Sequence, residues 1–197
     1  KRLKTMGFVG VDLLYADEWS VVADHGLDVS MGYPAKRENF ITMGFNDPKN
    51  HATLIKEIET TIPLAKRAGV KNLITMFGNR TAGIDDKQAI DNCVAGLSKI
   101  APYAEENGIT LHVELLNSKV DHHGYQGDST AFGVAVCKGV NSPSVKPTGP
   151  RTCQKSSSSP KTGKRWPSNK RGRIRRACSA NGVSCSTATP PPARCCW

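Results

Sequence analysis

The sequence predicts an α/β fold, a partial β/α barrel of about four βα units followed by a basic tail. Three observations carry this. Four segments repeat one pattern: a helix end, a glycine, then a short apolar run. The stretches between them have helical spacing. No GxGxxG turn follows an early apolar run, which disfavours the dinucleotide-binding sheet, the competing architecture for alternating strands and helices.

The repeats are LKTMGFVGVDLL (Leu3–Leu14), VVADHGLDVSMG (Val21–Gly32), LAKRAGVKNLITMFG (Leu64–Gly78) and YAEENGITLHVELL (Tyr103–Leu116). Gly7, Gly26, Gly69 and Gly108 each fit the left-handed position that ends a helix. The runs after them are rich in Val, Ile, Leu and Met, as strands covered on both faces require. Asp47-Pro48 predicts an N-cap and first helical position. Leu54, Ile55, Ile58, Ile62 and Ala65 then give an apolar stripe. Pro63 is expected to kink or split that helix. Asp85 or Asp86 caps the next helix, with a stripe of Ile90, Val94, Leu97, Ala101 and Ala104; Pro102 lies near its end. Asp128-Ser129-Thr130 caps a last helix through Ala131–Lys138. A full barrel needs eight strands and about 250 residues, so four strands amount to half of one.

The formal net charge of +10 over 197 residues suggests a nucleic-acid or membrane binder until it is divided. Residues 1–146 hold 16 Lys/Arg and 17 Asp/Glu, and residues 147–197 hold 11 basic residues and no acid. The basic character thus belongs to the tail. That tail has no Leu, Phe, Tyr or Met, and seven prolines and eight serines, so it is expected to be disordered. Two explanations compete for it. As a basic arm, Lys161–Ala177 would bind phosphates, with Trp166 for stacking. As an out-of-frame or wrongly joined segment it would have no role; the composition and the abrupt boundary favour this. Seven cysteines form no CxxC or Cys/His spacing, so neither a zinc site nor a disulfide framework is supported. No apolar run of roughly 18 residues occurs, so no membrane partner is expected. No signal peptide is visible and the first residue is not Met, which leaves the compartment open, with the cytoplasm as default.

Glu114 is the acid in an otherwise apolar run. Strand alternation puts Leu111, Val113 and Leu115 on one face, toward the helices, and His112, Glu114 and Leu116 on the other, toward the barrel interior. Glu114 lies at the C-terminal end of its strand, where barrel active sites are built. A carboxylate there needs compensation from a metal or a cation. The residues alone leave two readings open: a site carboxylate, or a strand-end acid in a structural ion pair.

His112–Lys146 (HVELLNSKVDHHGYQGDSTAFGVAVCKGVNSPSVK) and Ala16–Gly32 (ADEWSVVADHGLDVSMG) resemble the hydroxypyruvate isomerase-like group of the sugar isomerase/epimerase, xylose isomerase-like TIM barrels. The resemblance covers about residues 1–146 and implies strands two to five of the barrel. In that family a glutamate on the fifth strand binds a divalent metal and takes part in proton transfer. Glu114 falls at that position, as catalytic residue and metal ligand. The implied cofactor is a divalent ion, Mg or Mn or similar. The implied partner is a small hydroxy-carbonyl substrate, isomerised through an enediolate; epimerisation of a ketose is the neighbouring possibility.

The family's other ligands come from later strands. After residue 146 this chain departs from the family pattern, so one expected ligand remains and the chain alone is expected to be inactive. YQGDST also departs from the family's Cys before, and His after, this Asp, so the resemblance implies no loop role for Gly127 and Ser129. Possible substrate-binding residues are His112, Asn117, His122, His123 and Arg80. The two adjacent histidines point apart in extended chain and are unlike a joint metal site. Arg80 would hold a substrate carboxylate or be a solvated loop residue. Lys119 is a further candidate beside Asn117. Open sheet edges predict self-association.

Overall fold

The computed structural model describes residues 1–149, and the tail expectations for residues 150–197 fall outside them. The elements run in alternation: α1 (Arg2–Thr5), β1 (Gly10–Val11), α2 (Trp19–Ala23), β2 (Asp28–Val29), a 3-10 turn (Pro48–Asn50), α3 (His51–Ala68), β3 (Asn72–Met76), α4 (Asp86–Glu106), β4 (Thr110–Glu114), α5 (Thr130–Val140) and β5 (Val145–Thr148). All four repeat glycines have positive φ. Gly69, at φ 73°, ends α3 in the left-handed conformation, where a Cβ would be strained.

Every strand pairing is parallel: β1 with β2, β3 with β4, and β4 with β5. Gly32 joins the two groups. Its N–H donates to Asn72 O at 2.9 Å, and its carbonyl accepts from Ile74 N at 3.0 Å. The five strands therefore lie in chain order, as consecutive units of a β/α barrel do. Gly32 is also a close approach: a Cβ there would fall 2.5 Å from the Trp19 ring.

β5 is an addition to the four strands counted from sequence, and it crosses the expected start of the tail at residue 147. It escaped the repeat for a physical reason. The helix before it ends on Asn141 at φ 50° instead of on glycine, and its own residues include Lys146 and Pro147. Asn is the other residue that tolerates this conformation.

Helix caps follow the sequence. Asp47 accepts from Lys49 N, Asp85 from Gln88 N and Ser129 from Phe132 N. Pro63 does not split α3, which runs unbroken for 18 residues. The carbonyl that Pro63 leaves without an intrahelical donor belongs to exposed Glu59, where water can satisfy it. The same holds for the position of Pro102 inside α4. The buried stripe of α4 is Ala89, Cys93, Gly96, Leu97, Ile100, Ala101 and Ala104, so Ile90 and Val94 sit at its margin, half-buried. Small residues let α4 approach closely: a Cβ on Gly96 would lie 2.6 Å from Phe45 Cδ1. Among the described residues the core is one cluster, including Leu73, Leu97, Ile100, Leu111, Val113 and Val136 between the helices and the outward face of the sheet, with Ile74 and Met76 added from the inner face. Each buried Leu or Ile there contributes about 2 kcal/mol. Among the described residues both cysteines are free thiols, and burial pushes both upward in pKa.

Candidate active site

Glu114 is the last residue of β4. The register pairs it with Met76 on β3 and Thr148 on β5, and pairs His112 with Ile74 and Lys146. Partners in a parallel ladder share a face, so two layers form on the inner side of the sheet. The outer side is occupied by Leu111 and Val113, both fully buried. Helix α5 packs there, since a Cβ on Gly133 would meet Pro147 and Leu115.

The Glu114 side chain is half-buried and has no ion-pair or hydrogen-bond partner among the described residues. The structural ion pair left open by the sequence does not form there. Burial pushes the Glu114 carboxyl above its ordinary value, and the Asp12 carboxylate beyond β1 adds to the shift. Tyr33, following β2, feels the same neighbourhood. Its phenol is raised by burial first, then by Tyr15, Glu114 and Asp12. Tyr33 stacks on Tyr15 at 4.8 Å and meets Phe40 edge-on at 4.9 Å.

His112 Nε2 donates to Asn72 Oδ1 at 3.1 Å. Asn72 is oriented by its own Nδ2, which donates to Ser30 O. His112 Nδ1 is then an acceptor, buried and, among the described residues, without a donor. Burial and the Lys146 ammonium lower the His112 pKa, with Asp12 opposing them. His112 is thus a neutral imidazole one layer below Glu114.

Three of the other candidates, Asn117, His123 and Arg80, are engaged elsewhere. Asn117 Oδ1 accepts from Lys119 N, and Asn117 O accepts from His122 N, so Asn117 closes its own loop. Exposed His123 donates through Nδ1 to Ser118 O. His122 is half-buried in that loop. Arg80 Nη1 pairs with Asp86 Oδ1 at 2.7 Å at the start of α4, instead of standing free for a substrate carboxylate. That pair and a bond from Gln126 hold the Asp86 carboxyl below its ordinary range.

Sequence reasoning missed the residues that shape the mouth. Gln126 is fully buried, accepts from Asn46 Nδ2 at 2.7 Å and donates to Asp86 Oδ1 at 3.1 Å. Asn46 Nδ2 also donates to Asn79 O. Tyr125, equally buried, donates its hydroxyl to Glu114 O at 2.8 Å. Their only signal was Gly124 and Gly127 around Tyr-Gln, a mark of close backbone approach.

A divalent metal needs several hard donors. Among the described residues no three His, Cys, Asp or Glu side chains are grouped to hold one. Glu114 and Asp12 supply like charges that a cation would relieve, but these residues alone do not complete a metal site. No helix of the described residues is long and apolar enough to cross a membrane.

Solved structures share this fold. A crystal structure titled AP endonuclease, family 2, from Brucella melitensis has 21% identity and a TM-score of 0.64, covering 74% of this chain and 59% of its own. A D-psicose 3-epimerase structure in the presence of D-fructose has 18% identity and a TM-score of 0.58, with 75% and 55% covered. A structure titled IOLI protein with a binding zinc atom has 17% identity and a TM-score of 0.53, with 66% and 44% covered. The chain thus spans between 44% and 59% of the length of these structures. No curated protein matches it. A family model described as xylose isomerase-like TIM barrel matches residues 3–148. That match spans most of the chain, and the parallel strands in chain order agree with it: the protein belongs to the xylose isomerase-like TIM-barrel family.

Proposed function

We propose that the barrel to which residues 1–149 belong transfers a proton next to a carbonyl group, as an isomerase of the hydroxypyruvate isomerase type. The observation that supports this is Glu114: a carboxylate at the C-terminal end of a barrel strand, half-buried, with its pKa raised and, among the described residues, no cation paired with it. A more basic carboxylate is a better proton acceptor at neutral pH. Glu114 takes a proton from the carbon beside the carbonyl, and the electron pair moves to the carbonyl oxygen, giving an enediolate. Returning the proton to the neighbouring carbon gives the isomer. Returning it to the opposite face of the same carbon gives an epimer, the outcome named for the psicose epimerase relative. A divalent ion such as Mg or Mn would need donors beyond those described.

The half-reaction tests this, because it requires only the base. The full chain is incubated in D2O with hydroxypyruvate, and separately with a ketose, and deuterium uptake beside the carbonyl is followed by NMR. Uptake lost in Glu114→Gln, without net isomerisation, is the expected result. Equal uptake by the native chain, Glu114→Gln and buffer would overturn the proposal. The substrate that exchanges faster separates the hydroxy-acid from the ketose reading.

A further inference from the structure

The ladder between β3 and β4 stops one rung before its register requires. Thr110 N donates to Lys71 O at 2.8 Å, which fixes the pattern: even-numbered amides of β4 point at β3. Carried forward through the pairing of Met76 with Glu114, the next rung joins Phe77 N–H to Glu114 C=O. A side chain occupies that rung instead. Phe77 N donates to the Tyr125 hydroxyl at 2.8 Å, and that hydroxyl donates to Glu114 O at 2.8 Å.

The segment around Tyr125 is built for this insertion. Arg80 N donates to Gly124 O at 2.8 Å, Gln126 N to Gly78 O at 2.9 Å and Leu116 N to Gly127 O at 3.3 Å. Gly124–Gly127 therefore lies between the ends of β3 and β4. A Cβ on Gly127 would collide with Phe77, so the segment fits there only without one. On its other side β4 keeps its ladder. Leu111 N donates to Ser144 O at 2.7 Å, and Leu115 N still reaches Thr148 O at 2.6 Å, in register. Glu114 is the residue at which β4 releases β3 and holds β5.

We infer that Tyr125 is the positioning residue for Glu114: its hydroxyl replaces the last rung, parts the two strands at the mouth and fixes the backbone from which the carboxylate projects. The functional consequence rests on Glu114 being the reacting carboxylate; the rung stands on the hydrogen-bond pattern alone.

The test reads Glu114 without requiring activity. NMR couplings report the χ1 rotamer of Glu114 in the native full chain, in Tyr125→Phe, and in Ile100→Val as a core control. Tyr125→Phe is expected to change or average those couplings, and Ile100→Val to leave them unchanged while also lowering Tm. A Tyr125→Phe protein that loses stability with native Glu114 couplings would overturn the inference. Should that variant not fold, amide exchange in the native chain decides. A Phe77 amide protected within tenfold of Thr75 supports the rung, and one exchanging at the rate of an exposed loop overturns it. Absence of deuterium uptake in the D2O assay would count against the enzymatic reading and leave these results intact.

Discussion

Asn46 and Gln126 are 80 positions apart in sequence and meet through one buried hydrogen bond of 2.7 Å. It ties the loop after β2 to the loop after β4, and Gln126 Nε2 continues the chain to Asp86 at the start of α4. Gln126→Ala would leave Asn46 Nδ2 with only Asn79 O and open a hole beneath the mouth. The expected cost is about 2–3 kcal/mol, from a lost buried hydrogen bond plus a cavity. Urea unfolding measures it, and a loss within 0.5 kcal/mol of zero, about the size of an ordinary surface substitution, would show the network to be dispensable.

Glu114 and His112 give pH dependences of opposite sign. The folded pKa of Glu114 is raised from 4.5, chiefly by burial. Its contribution is full below that ordinary value and is lost as pH rises through the folded value. Glu114→Gln is therefore expected to gain stability over native at pH 7 and to lose that gain near pH 4. His112 is lowered from 6.5, chiefly by burial. Its contribution is full above the ordinary value and is lost as pH falls through the folded one. Relative to His112→Gln, the native chain should thus lose stability below about pH 6. Tm measured from pH 4 to 8 checks both, and slopes of the same sign for the two variants would contradict the layer described.

Glu114 and its strand were legible because a period of two fixes the face of every residue once one face is apolar. The alternation of strands and helices was legible through Gly7, Gly26, Gly69 and Gly108, which announce helix ends locally. β5 was not, because Asn141 replaces the glycine. The mouth was hidden for a different reason. Tyr125, Gln126 and Asn46 matter through partners 11, 40 and 80 positions away, and no local pattern encodes such pairs. The ion pair of Arg80 with Asp86 was hidden likewise, since Asp86 first had to be read as the exposed start of a helix.

Among the described residues the β1 edge carries no neighbouring strand, and apolar side chains crowd it. Leu3, Met6, Val9 and Leu13 are exposed, Val9 to 66%. Free edges with apolar flanks recruit further strands. The full chain is expected to self-associate with rising concentration, and Val9→Lys, which puts a charge on that edge, to weaken it several-fold. Light scattering across a dilution series reads this. A native chain that stays monomeric at all concentrations would remove the expectation.

Among the described residues Arg37 and Glu57 form an ion pair with several unsatisfied buried atoms. Their Nε and Oε2 lie 3.3 Å apart with side chains 13% and 19% exposed. The approach is close but poorly aligned, so among the described residues Arg37 Nε and Nη1 and Glu57 Oε2 lack hydrogen bonds. The guanidinium also lies over Phe40, 5.1 Å from the ring centre. Burial lowers Arg37 and raises Glu57, and each charge partly offsets the shift of the other. Removing one partner leaves a poorly hydrated charge, so Arg37→Met is expected to cost about 3 kcal/mol at pH 7. In that variant the Glu57 penalty is unopposed, so its stability should recover as pH falls through the raised Glu57 value. Replacing both, as Arg37→Met with Glu57→Leu, removes both desolvation penalties and keeps the volume. The double variant is expected within about 1 kcal/mol of the native chain. A double-mutant cycle by urea unfolding decides it, and a double variant as unstable as the sum of its singles would show that the two charges do not interact.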